Sequence, residues 1–96
     1  MYARITTLEG QPGKLEEGIR LFQEGDAQLK QVKGYKGSWL FVDRQANKAV
    51  TLSLWESEAD STAYANSPLR QEVVSRLASL IVGVPTIGVY EVVAQP

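Results

Sequence analysis

The chain has 96 residues, ten basic against eleven acidic side chains for a net charge of −1, and neither cysteine nor histidine. Without those two residue types there is no disulfide, no thiolate or imidazole metal site, and no thiol nucleophile or histidine base, so no metal is expected. A chain this short buries roughly two-thirds of its unfolded surface around one thin core, which predicts a single domain over 1–96 and leaves a partner subunit as the remaining means of stabilisation.

Nucleic acid is not an expected partner, because Lys14, Arg20, Lys30 and Lys33 are interleaved with Glu16, Glu17, Glu24 and Asp26 instead of forming a basic patch. No apolar run approaches the ~20 residues of a membrane span. The opening residues Met1-Tyr2-Ala3-Arg4 read as strand rather than as a leader, so no membrane partner and a cytoplasmic location are expected.

Residues 2–9 form the first predicted strand, in which Ala3, Ile5 and Thr7 alternate with Arg4 and Thr6. Gly10-Gln11-Pro12-Gly13 ends it, and Pro12 suits the opening of a helix. That helix is predicted over about 14–32, with Leu15, Ile19, Phe22 and Leu29 on one face. Gly18 and Gly25, seven apart, fall on one side of it. Each costs about 1 kcal/mol relative to alanine, and the pair either admits a close neighbour or softens the helix.

Gly34 ends the helix, and Tyr35–Arg44 and Lys48–Glu56 read as a hairpin around Gln45-Ala46-Asn47, with Asn47 suited to a left-handed turn. Gly37, Trp39 and Phe41 take one face of the first strand, Leu40 and Val42 the other. On the second strand Val50, Leu52 and Leu54 oppose Thr51, Ser53 and Trp55. Helices on one side of a sheet cover only half of these apolar groups. Ser57 caps a short helix to about Ala65, which breaks at Asn66-Ser67-Pro68. Ser67 then caps a longer helix to about Ile81, with Leu69, Val73, Leu77, Leu80 and Ile81 at core spacing. Gly83 and Pro85 stop it, and Thr86–Ala94 form the last strand.

The order β-α-β-β-α-β predicts an α+β, ferredoxin-like fold, an antiparallel four-stranded sheet with its helices on one face. The second apolar sheet face asks for a second copy of the same sheet, giving a homodimer closed as a dimeric α/β barrel.

Three passages carry a family resemblance: Gly34-Tyr35-Lys36-Gly37-Ser38-Trp39-Leu40-Phe41-Val42-Asp43, then Leu54-Trp55-Glu56-Ser57, then Tyr64 followed by Asn66-Ser67-Pro68. Across almost the whole chain the sequence resembles the antibiotic-biosynthesis monooxygenase (ABM) superfamily. The resemblance implies a dimeric barrel, a last strand reaching toward the partner, and a cavity between sheet and helices in each protomer. Some members are cofactor-independent monooxygenases of quinols or polyaromatics, in which the deprotonated substrate itself reacts with dioxygen. Others degrade haem with an asparagine on the first strand, a tryptophan in the first piece of the second helix and a histidine in the longer piece. Those positions fall here on Thr6, Tyr64 and Val74. All three differ, and valine does not ligate iron, so the haem branch does not extend to this chain. Other members have no known activity.

Within that frame the candidate catalytic residues are Tyr64, Asn66 and Arg4, and the candidate substrate-binding residues are Trp55, Trp39, Phe22 and Thr6. Tyr64 and Asn66 offer a phenol and an amide to a quinol or a developing oxyanion; alternatively they support the helix break. Trp55 is either an aromatic wall for a planar ligand or a core residue, and Trp39 has the dimer interface as its alternative. Arg4, facing inward, needs either an anionic substrate or a carboxylate from Glu56, Asp43 or Glu91. Glu56 is also the candidate general base. Three functions remain open: a cofactor-independent oxygenase of a small aromatic or quinol, a non-catalytic dimeric ligand-binding or regulatory domain, and other enzymology such as isomerisation or dehalogenation on the same fold.

Overall fold

A computed structural model describes residues 1–95. Strand β1 (Tyr2–Gly10) is followed by helix α1 (Leu15–Leu29), strands β2 (Tyr35–Asp43) and β3 (Lys48–Trp55), and helices α2 (Glu58–Ala65) and α3 (Pro68–Leu77). A 3₁₀ turn (Ala78–Leu80) then leads into strand β4 (Ile81–Glu91). The strands form one antiparallel sheet in the order β2-β3-β1-β4. This is the ferredoxin-like arrangement, with the second helical region divided in two.

The divisions follow local chemistry. Ser57 Oγ accepts the Asp60 amide at 3.1 Å and Ser67 Oγ accepts the Arg70 amide at 3.2 Å, so each piece of the second helical region has its own N-cap. Ser67 Oγ also donates to the Tyr64 carbonyl at 2.7 Å, tying the end of α2 to the start of α3. In the β2–β3 turn the Asp43 carboxylate accepts the Gln45 and Ala46 amides, and Asn47 takes the left-handed conformation at φ 56°.

Three boundaries differ from expectation. Helix α1 stops at Leu29, and Ile81 opens β4 instead of ending α3. Ile81 pairs with Gly10 and Val82 with Glu9 before the register shifts, and the shift accommodates Gly83 (φ 71°) and Pro85. These two residues bulge a strand here where the sequence pattern had them terminate a helix. The sheet in turn ends at Glu91, short of the predicted Ala94.

Register assigns the faces, because residues directly opposite one another in an antiparallel sheet share a side. Arg4 lies opposite Ser53, and Thr6 opposite Thr51, on the helix side. Ile5 lies opposite Leu52, which lies opposite Trp39, and Phe41 opposite Val50, on the side with no helices. The core gathers where the helices meet the end of β3. Trp55 is fully buried, stacked on Tyr64 (centroids 5.1 Å, 22° between planes) and edge-on to Tyr35 (5.4 Å, 62°), with Leu29 completing the cluster. Such ring pairs add about 0.5–1.5 kcal/mol each beyond the area they bury.

Candidate functional site

Between the helix-covered sheet face and α1 and α3 lies a cavity of about 150 Å³. It exists because side chains are missing from its wall. Gly18 and Gly25 both line it, and a methyl group built on either would meet no atom within 4 Å. No element approaches the glycines closely, and they do not break α1, which runs from Leu15 to Leu29. They leave the space empty. Leu15, Ile19 and Phe22 from α1, with Val73, Leu77 and Leu80 from the α3 region, supply apolar walls.

The floor of the cavity is partly polar. Arg4 and Thr6 from β1, Ser38 from β2, and Thr51 and Ser53 from β3 all face it beside Leu8, Leu40 and Ala49, more polar groups than a helix-covered sheet usually presents. Tyr64, Arg70 and Asp26 complete the polar groups. Arg4 Nε is buried and has no hydrogen-bond partner. Burial, and next the like charge of Arg70, hold the Arg4 guanidinium below the usual arginine range, while Tyr64 acts in the opposite sense. The Tyr35 hydroxyl donates to the Asp26 carboxylate and bonds the Ser38 hydroxyl. Burial first, then the bond to Asp26, pushes Tyr35 up to about 12. Among the described residues no cluster of acidic groups suited to a metal ion exists.

The expected site residues divide accordingly. Arg4, Thr6, Phe22 and Tyr64 meet at the cavity. Trp55 lies behind Tyr64, so its indole packs against the ring that faces the cavity and donates from Nε1 to Ser53 Oγ at 2.9 Å. Trp39, 47% exposed, sits on the opposite face of the sheet, because the β2 alternation that turns Ser38 and Leu40 inward turns Trp39 outward. Asn66 is exposed at the end of α2, where its amide donates to the Thr62 carbonyl at 3.2 Å, and it does not reach the cavity. Val74 is 46% exposed on the outer side of α3.

None of the three carboxylates considered for Arg4 pairs with it. Glu56 instead meets Lys36 at 2.7 Å on the surface, and the Lys36 ammonium holds it below the usual carboxylate range. That is the wrong direction for a general base, and Glu56 is outside the cavity. Asp43 is engaged in the hairpin turn, and Glu91 is exposed at the end of β4.

Sequence reasoning missed Asp26, Arg70 and Ser38. Signals for the first two were present, since Asp26 follows Phe22 by four residues on α1 and Arg70 precedes Val73 by three and Leu77 by seven on α3. Those spacings place both charges on the inner helix faces.

The family model described as antibiotic biosynthesis monooxygenase matches residues 1–76. No curated protein sequence matches the chain. Among solved structures, a protein of unknown function from Nitrosomonas europaea superposes with a TM-score of 0.84 at 17% identity, covering 99% of this chain and 91% of that one. A Mycobacterium tuberculosis protein gives 0.83 at 13% identity, with 98% and 96% covered. SnoaB, a cofactor-independent oxygenase from Streptomyces nogalater seen in a mutant form, gives 0.83 at 14% identity, with 98% and 94% covered. Identities this low establish the shared fold.

Proposed function

Because the chain belongs to the antibiotic biosynthesis monooxygenase family, we propose that it is a cofactor-independent monooxygenase of a small aromatic or quinol substrate. It works as a cytoplasmic homodimer, with residues 1–96 as one unit. The observation that carries this reading is the cavity, an apolar chamber with a few convergent polar groups, Tyr64 and Asp26 among them, the usual make-up of a small-molecule site. Its volume of about 150 Å³ matches an apolar cavity that admits one benzene ring. A substrate with a single ring fits that space.

Chemistry in such a site depends on ionising the substrate. Asp26 is the carboxylate among the lining side chains and serves as the base, kept in place by the Tyr35 hydroxyl. The Tyr64 hydroxyl donates to the oxyanion that forms, and the positive field of Arg4 favours it. Thr6 and Phe22 shape the ring's seat, while Trp55 braces Tyr64 from behind. The phenolate passes one electron to dioxygen, and the two radicals combine into a ring carbon–oxygen bond as a peroxide, which Asp26 protonates. Loss of water then leaves the quinone. One oxygen atom enters the product, the other leaves as water, and the substrate supplies all four electrons.

The test is oxygen uptake with a panel of single-ring quinols, with Asp26→Asn alongside the unaltered protein. Uptake above background is expected, and the Asp26→Asn protein should be slower by about 10²-fold, the usual contribution of a general base. Absence of uptake with every quinol sinks the reading. Saturable binding without uptake would favour the alternative, a dimeric ligand-binding domain using the same cavity.

A further inference from the structure

The charges around the cavity do not balance. Arg4 and Arg70 bring two positive charges to its wall, while Asp26 brings one negative charge that already accepts the Tyr35 hydroxyl. Four ion pairs form elsewhere on the protein, yet among the described residues neither guanidinium has a carboxylate within ion-pair distance. Arg4 Nε is a buried charged donor with no acceptor, a costly arrangement for a fold to keep. A guanidinium is also a planar fork whose geometry matches a carboxylate.

The cavity has, in addition, a polarity gradient. Arg4 and Leu8 face it four residues apart on β1, about 13 Å along the strand. The Arg4 end is surrounded by Ser53, directly opposite on β3, by the Tyr64 phenol, and by Arg70, whose like charge acts on Arg4. The Leu8 end is closed by Leu80 and Ile81, which the Gln11 amide's bond to the Leu80 carbonyl (2.9 Å) and the Gly10–Ile81 pairing bring to that end of β1. A chamber with two cations at one end and only aliphatic groups at the other fits an amphiphile with an acidic head.

We infer that the cavity takes an aromatic carboxylate, its carboxylate between Arg4 and Arg70 and its ring directed toward Leu8 and Leu80. This rests on the function proposed above and narrows the substrate to an aromatic acid whose hydroxyl is ortho to the carboxylate. The hydroxyl then stays at the polar end with Tyr64 and with Asp26, which Tyr35 joins to Ser38 opposite Ser53. Arg70 becomes the specificity residue, since it adds a second positive charge where one guanidinium alone would serve a transient phenolate. The apolar half rejects inorganic anions, and the arginine pair disfavours neutral aromatics of the same shape.

Calorimetric titration with benzoate and with its neutral isostere benzamide at neutral pH tests the assignment. Benzoate should bind at least about tenfold more tightly, the ratio that one charge-assisted hydrogen bond supplies. Arg70→Met and Arg4→Met should each bring the two ligands close to equal affinity, and Arg70→Lys should keep most of the preference. Arg4 lies mid-strand, so if Arg4→Met melts early by circular dichroism, the helix-surface Arg70 pair of variants decides alone. Equal binding of both ligands to the unaltered protein, binding of neither, or a preference that survives Arg70→Met overturns the inference. Oxygen uptake is a separate readout. Charge-selective binding without uptake removes the oxygenase and leaves the acid site standing, whereas uptake with neutral quinols and no charge preference does the reverse.

Discussion

The two faces of the one sheet differ in where they place polar and apolar groups at their centres. The face covered by α1 and α3 presents Arg4, Thr6, Ser38, Thr51 and Ser53, while the face without helices presents Ile5, Trp39, Phe41, Val50, Leu52 and Leu54. A sheet that packed only against its own helices would do the opposite. Polar groups under the helices are tolerable because the glycines of α1 hold a cavity open above them. Apolar groups on the open face, with Trp39 47% and Phe41 53% exposed, are the surface that a second copy covers in the proposed homodimer. On the proposed reading one face serves a ligand and the other a partner.

The strongest way to break this contrast is to remove the packing that supports the helix side. Trp55→Ala should lower the unfolding free energy by about 3–5 kcal/mol, read from urea unfolding, because the indole is fully buried between Tyr35 and Tyr64. A cost under about 1 kcal/mol would mean that this cluster does not anchor the helices.

On the open face, Phe41→Glu should separate the subunits. Burying an unpaired carboxylate costs about 3 kcal/mol or more, raising the dimer dissociation constant by at least about 100-fold, measurable by light scattering across a dilution series. If that variant remains as dimeric as the parent, the two sheets do not pack face to face.

Gly25→Ala sharpens the contrast from within the cavity. It should stabilise α1 by about 1 kcal/mol, since the new methyl enters empty space, and it should weaken binding of a one-ring ligand. Gain of stability with unchanged binding would show that the glycine does not hollow the site.

The smallest effect concerns alkaline pH. The Tyr35 phenol is pushed up to about 12 in the folded protein, against about 10 in an unfolded chain. Its contribution is therefore complete below pH 10 and is lost as pH rises toward 12, because the unfolded state releases the proton first. Tyr35→Phe should remove this part of the alkaline loss of stability in denaturant melts at successive pH values. An unchanged alkaline slope would locate the titrating group elsewhere.

Much of this architecture was legible from local patterns. Alternation of Gly37, Trp39 and Phe41 against Leu40 and Val42 marked a strand with two apolar faces, and Ser57 and Ser67-Pro68 marked the two caps of the divided helix. The start of the last strand was misplaced because Gly83 and Pro85 read locally as breakers. Only pairing of Ile81 and Val82 with Gly10 and Glu9 shows that they bulge a strand. The site was harder to read. Asn66 and Tyr64 are two residues apart in sequence, yet one is exposed and the other is buried against Trp55. Proximity along a helix does not fix which side of it faces the ligand.

What the sequence determined by itself was periodic or local: the α+β order, the turns and caps, and the surplus of apolar side chains on the sheet. Those properties depend on a few neighbouring residues and survive without knowledge of the rest. What only the tertiary structure decided was which charges share a space. Asp26 on α1, Arg4 on β1 and Arg70 on α3 meet at one cavity, and Glu56 leaves it for Lys36 on the surface. Such meetings depend on how distant elements are stacked. That stacking left Arg4, for which the sequence allowed either a carboxylate partner or an anionic substrate, as an unpaired cation facing a cavity.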